Sequence, residues 1–110
     1  MKDRSSWTDE QINEAVAIKK GWKKERVLVG LSVERVQWTN GVLSLPQPPN
    51  YTNDWNLCGE LLEEMPLPSL TQRVYLLDWA CWRYDRLEAT KANTPKRAIC
   101  EEWLEWEEEK

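Results

Sequence analysis

Histidine is absent from this chain of 110 residues. Its absence removes the commonest general base, the Ser-His-acid triads and the usual zinc sites. Glycine occurs only at positions 21, 30, 41 and 59, which leaves no Gly-rich phosphate loop. Cysteine occurs three times, at 58, 81 and 100, with no Cys-x-x-Cys spacing, so neither a disulfide framework nor a zinc ribbon is expected and reduced, buried thiols are. No apolar run approaches the ~20 residues of a membrane span, and MKDRSSWTDEQ lacks the apolar stretch of a signal peptide, so a cytoplasmic protein with no membrane partner is expected. Phenylalanine is absent too. The aromatic content is eight Trp and three Tyr. Trp combines a large apolar area with an N–H that wants a partner, so most of these rings are expected in the core and some at its edge or on a binding surface.

What is present fits one domain over residues 1–110, with 1–7 and 107–110 expected to be frayed. The net charge of −4 hides an asymmetry: residues 1–49 hold eight basic and six acidic side chains, residues 50–110 seven basic and thirteen acidic. The acidic half opposes binding to bulk nucleic acid.

Thr8 and Gln11 have the spacing of a capping box, and Ile12, Ala15 and Val16 recur at helical spacing before Gly21, predicting a helix over roughly 9–20. The run RVLVGLSVERVQW is rich in β-branched residues. It leads to Asn40-Gly41, expected as a two-residue hairpin turn that sets Thr39 opposite Val42, Trp38 opposite Leu43 and Val36 opposite Leu45. The proline-rich LPQPPNYTND is a connector, with Thr52 or Asn53 as cap of a second helix running to Met65, whose apolar arc holds Trp55, Leu57, Cys58, Leu61, Leu62 and Met65. Residues 69–92 fit two patterns: Leu70, Val74, Leu77, Cys81 and Tyr84 make a helical stripe, while CWRYDRLEAT alternates as a strand does. The missing turn glycine favours a helix locally.

Thr94 and Pro95 read as cap and first position of a last helix. Ile99, Cys100, Trp103, Leu104 and Trp106 share an arc of roughly 160°, and the glutamates at 101, 102, 105, 108 and 109 share the other. Cys100 lies in the apolar arc with Glu101 and Glu102 beside it, an environment that opposes the thiolate a nucleophile needs. The pairs Glu60 with Glu63 or Glu64 lie on the wet face of the second helix. No enzyme, no metal site and no cofactor is therefore expected.

Two candidate binding surfaces remain. Lys19, Lys20, Lys23, Lys24 and Arg26 surround Trp22 at the end of the first helix. They read either as a solvated cap matched to the helix dipole or as a phosphate-binding patch with an aromatic for stacking a nucleotide base. In EEWLEWEEEK, Glu101, Glu102, Glu105 and Trp106 read either as part of a solvated tail or as an acidic surface for a basic partner protein.

INEAVAIKKGW, PNYTNDWNLCGELLEEM and TPKRAICEEWLEW together resemble the Phage ABA sandwich domain family of small phage and prophage proteins. The matching positions are Gly21-Trp22, Tyr51-Thr52-Asn53-Asp54, and Thr94-Pro95 with Ala98-Ile99-Cys100. The resemblance implies an α+β fold, a single domain with a small antiparallel sheet flanked by helices (α/β/α sandwich-like), and so strands over 73–91. It implies phage origin and supplies no catalytic residues. The function expected is a non-enzymatic phage accessory protein that inhibits a bacterial antiviral defence system by binding. Its target is either a host defence protein or a cyclic or small nucleotide; the alternative is a structural or regulatory phage protein. Two Trp on the last helix and a short core leave a homodimer open.

Overall fold

The computed structural model describes residues 4, 6–30, 33–66, 68–73, 78–83 and 90–109. Thr8 starts α1, Asp9–Lys19, with both arms of the capping box in place: its hydroxyl accepts from the Gln11 N–H at 3.2 Å and the Gln11 side chain accepts from the Thr8 N–H at 2.8 Å. The helix stops where Gly21 takes φ 95°, a conformation that glycine adopts without a Cβ penalty. Trp22 N–H then donates to Ala17 O and Gly21 N–H to Ile18 O, the pair of bonds that closes a Schellman motif. This motif aims Trp22 back onto the core.

Next come β1, Lys23–Val29, and β2, Val33–Thr39, paired antiparallel over their full length, with the two-residue β3, Ser44–Leu45, beside the end of β2. Trp38 pairs with Leu45 and Thr39 with Ser44, so the register expected from an Asn40-Gly41 turn is corrected by two residues. The turn slides to Gly41-Val42 because the Asn40 side chain accepts from the N–H groups of Val42 and Leu43, while the Asn40 N–H bonds Leu43 O. A shift of two keeps every side chain on its expected face.

Asp54 caps α2, Trp55–Glu64, accepting from Asn56 and Leu57 N–H; the expected caps Thr52 and Asn53 are displaced from that role. Thr52 is instead buried, its N–H held by the Asn13 side chain. Cys58, Leu61 and Met65 are buried as the helical arc predicts, but Trp55 is 52% exposed and lies 5.1 Å from the Lys96 ammonium. At the first turn of the helix its ring points past the end of the core.

The second sheet is β4, Pro68–Arg73, β5, Asp78–Arg83, and β6, Thr90–Ala92, all antiparallel in that order. Strands win over the helical stripe here. Leu70 and Cys81, both on that stripe, are cross-strand partners; Val74, Leu77 and Tyr84 lie outside the described residues. Burying Cys81 against α3 outweighs the local preference for a helix.

The last element is α3, Pro95–Glu109, with the Thr94 hydroxyl accepting from Arg97 N–H at 3.2 Å. It is the centre of the molecule. Sheet β4–β6 packs on one side of it and α1 and α2 on the other, so every residue from Ala98 to Glu105 is buried. The result is a single α+β domain of three helices and two small sheets, in which a helix rather than a sheet is the middle layer among the described residues. Ile12, Val16, Leu61, Ile99, Cys100 and Trp103 form the core around α3; each fully buried aliphatic side chain contributes about 2 kcal/mol.

The β1–β2 ribbon stands apart from that body. Among its side chains whose burial is described only Trp38 is buried. A seven-residue strand spans roughly 23 Å, which accounts for a molecule 55 Å long and only 27 × 25 Å across.

Candidate functional site

Strand alternation decides the fate of the basic cluster. Lys23, Lys24 and Arg26 belong to β1 and not to the end of a helix, so Lys23 faces one side of the ribbon while Lys24 and Arg26 face the other, opposite Trp38 and Val36. Lys19 stays on the last turn of α1 and is exposed. Lys20 turns inward, pairing with Glu64 and lying 5.5 Å from the Trp103 ring. Trp22 is half-buried against the core, its indole N–H donating to the Tyr51 hydroxyl. The six residues do not converge on one patch.

The acidic cluster is drawn inside. Glu101, Glu102 and Glu105 are 5%, 0% and 6% exposed. Each has an arginine: Arg97 for Glu101 at 3.2 Å, Arg83 for Glu102 at 2.8 Å, Arg4 for Glu105. Thr90 adds its hydroxyl to Glu102. Trp106 is half-buried and packs against the core. Two of these arginines also reach outward, Arg4 to Glu108 at 2.7 Å and Arg83 to Glu109 at 2.8 Å. Burial alone would depress both guanidinium pKa values, but these carboxylates outweigh it and raise them. Of the ends expected to be frayed, residues 1–3, 5 and 110 lie outside the described residues, while Arg4, Trp7 and 107–109 are held. Arg4 is 2% exposed, its carbonyl and that of Trp7 accept from Arg97, and α3 stays helical to Glu109. Only the spacing of Arg97 and Glu101 announces any of this in the sequence.

The three thiols are fully buried. The Cys100 thiol donates to the Cys58 sulfur, and the Cys58 thiol donates to Lys96 O at 3.4 Å. Donation to Cys58, together with burial, holds Cys100 well above the ordinary thiol range, and burial pushes Cys81 up to about 12. Cys100 and Cys81 are therefore poor nucleophiles at neutral pH, whereas the bond from Cys100 lowers the Cys58 thiol, which stays sealed from solvent.

One concave surface shares only Lys24 with the two predicted clusters. It is a groove of about 500 Å³ at the base of the ribbon. Its floor is Trp38 with Lys24 and Val36; one wall is the first half of α1, with Asp9, Glu10 and Glu14, and the other is the loop carrying Pro46, Gln47 and Pro48. The loop is tied to α1 by Asn13, whose amide donates to Asn50 Oδ1 at 2.9 Å and accepts from Thr52 N–H at 2.9 Å. The Lys24 ammonium lies 6.0 Å from the centre of the Trp38 ring. Sequence reasoning passed over this site because its walls come from three separated segments; a proline-rich loop following a Trp-bearing strand was the available signal.

Among the described residues no helix is long and apolar enough to cross a membrane, and no group of three His, Cys, Asp or Glu side chains is placed to hold a metal ion. The fold and the groove define a small α+β domain with a projecting two-stranded arm. No protein-family model matches the chain, and neither a curated protein nor a solved structure does.

Proposed function

We propose that this chain is a non-enzymatic phage accessory protein, acting in the bacterial host cytoplasm, that inhibits an antiviral defence system by binding one of its proteins. The observation that carries the reading is the β1–β2 ribbon: seven paired residues per strand, projecting from a packed body, with the outer edge of β1 unpaired among the described residues and Leu28 69% exposed beside Val36 at 39%. An isolated hairpin is marginally stable in water, and an open strand edge is a template for pairing. A chain that maintains such an arm gains from it when a partner covers it. The absence of histidine and the burial of all three thiols support a binding role over a catalytic one. Phage origin rests on the resemblance carried by Gly21-Trp22, Tyr51 to Asp54 and Thr94 to Cys100.

Sequestration of a nucleotide is the weaker route, because Lys19, Lys20, Lys23, Lys24 and Arg26 diverge and the acid-lined groove repels phosphate. The test is plaque formation on hosts carrying defined defence systems. Expression of the chain rescues plating on at least one of them, and Arg26→Glu with Leu28→Asp abolishes the rescue without lowering the melting temperature. Unchanged plating against every system tried overturns the proposal and leaves a structural or regulatory phage protein. A large thermal shift with a cyclic nucleotide moves the reading to sequestration.

A further inference from the structure

We propose that the groove at the base of the ribbon is a cation subsite that takes the guanidinium of an arginine side chain presented by a partner protein. That the partner is a protein rests on the preceding proposal; the charge that the groove selects does not.

Three independent features point the same way. The first is charge. The α1 wall supplies Asp9, Glu10 and Glu14, while the only basic side chain lining the groove among the described residues is Lys24. Asp9 is already held by Arg97 at 2.9 Å, whereas Glu10 and Glu14 form no ion pair among the described residues. With Lys24 counted, the lining still carries a net negative charge, which a phosphate or carboxylate entering here meets.

The second is that a cation already lies against the aromatic floor. The Lys24 ammonium lies within the 6 Å or so at which a cation is drawn to the face of a Trp ring, and Trp38 is 3% exposed beneath it. Lys24 is exposed and reaches that position from β1 on a flexible stem, so it marks a place for a cation. A planar guanidinium stacks on indole and pairs with a carboxylate at the same time, which an ammonium does not.

The third is that the groove is already formed. Pro46 and Pro48 restrict the loop backbone, and the Asn13 side chain bonds that loop through Asn50 and Thr52. A ligand has little to order on arrival, and the volume lies within the range of small-ligand sites. The same Lys24 and Val36 belong to the ribbon, so a strand pairing along the ribbon edge could deliver a side chain straight into the groove.

The probes are N-acetyl-arginine amide, followed by ¹H–¹⁵N spectra, and a fluorescent hexa-arginine peptide followed by anisotropy. Arginine amide is expected to shift the Trp38 indole signal and the amides of Glu10 and Glu14, while N-acetyl-glutamate amide shifts none of them. Peptide binding weakens at least fivefold in the Glu10→Gln, Glu14→Gln double variant, whose fold is checked by its melting temperature. It stays within twofold in Glu60→Gln, Glu63→Gln, which removes the same charge from α2. Lys24→Ala tightens binding two- to fivefold by removing the internal competitor, and Lys23→Ala, the same charge change on the opposite face, leaves it within twofold. Shifts confined to other regions, or equal effects of Lys23→Ala and Lys24→Ala, overturn the subsite. These readouts need no phage and the plaque assay needs no groove, so either proposal can fail alone.

Discussion

Arg83 on β5 and Glu102 on α3 meet at 2.8 Å, and neither side chain has any exposure to solvent. The pair joins the second sheet to the central helix through the middle of the structure. Taking two charges out of water costs several kcal/mol per ion, and their attraction offsets it only where the remaining hydrogen-bonding positions are filled. The Thr90 hydroxyl fills one of them.

Breaking the pair from one side leaves a buried carboxylate without its arginine. Arg83→Ala is expected to cost about 3–5 kcal/mol, read as a lower urea midpoint. Arg83→Met with Glu102→Leu removes both charges and keeps volume, so it recovers most of that loss. If the single and double variants are equally destabilised, the cost comes from lost packing and not from a stranded charge.

The end of α3 contributes in a smaller way. A chain cut after Trp106 loses Glu108 and Glu109, whose side chains are 35% and 48% exposed and bind Arg4 and Arg83. Exposed partners are screened by water, so the two together account for about 1 kcal/mol. The truncated chain should remain folded with a modestly lower urea midpoint; an unchanged midpoint would return the tail to a solvated fringe.

Capping of α2 separates two neighbours. Asp54→Ala should cost about 1 kcal/mol by thermal melting, since its carboxylate accepts from both Asn56 and Leu57 N–H groups. Asn53→Ala, one residue away and exposed, should cost much less.

Stability should fall on the alkaline side. Burial, with the Glu60 carboxylate next in importance, pushes the Tyr51 phenol from 10.0 up to about 12. Below pH 10 the phenol is protonated in both folded and unfolded chains. As pH rises from there, the unfolded chain releases this proton first and binds fewer protons than the folded one, so the stabilisation is lost progressively up to the folded value. Cys81 behaves in the same sense, starting from 9.0. Urea midpoints should therefore decline above pH 9, and Tyr51→Phe should flatten the decline; an unaltered slope would show that Tyr51 ionises freely in the native protein.

Much of the helical framework was legible because its signals are local. Thr8 with Gln11, Gly21, and Thr94 with Pro95 each act on backbone groups within a turn of themselves, and the structure places all of them as the spacing predicts. Cys100 was legible for a similar reason, lying between Ile99 and Trp103 on an apolar arc. Strand β4 was not, and β5 was expected only through the family resemblance, since Leu70 and Cys81 satisfy a helical period as readily as a strand pairing, and α3 packing against them breaks the tie.

The site was hidden for a different reason. A glutamate-rich helix face looks wet unless the arginines that cover it are known, and Arg4 and Arg83 come from distant parts of the chain. Alternation along β1 likewise separates Lys23 from Lys24, which a helical reading would have kept together. The groove combines α1, the ribbon and the loop after β3, a juxtaposition that no single stretch of sequence displays.

Because Trp38 is the one ribbon residue in the core among the side chains whose burial is described, the outer part of the arm and the residues that hold the body together are largely different sets. Drift in the arm is then free of thermal cost, and a target that escapes by mutation can be followed by rewriting one hairpin. The same separation makes the arm a place to graft a foreign loop, with the three helices serving as an unaltered handle.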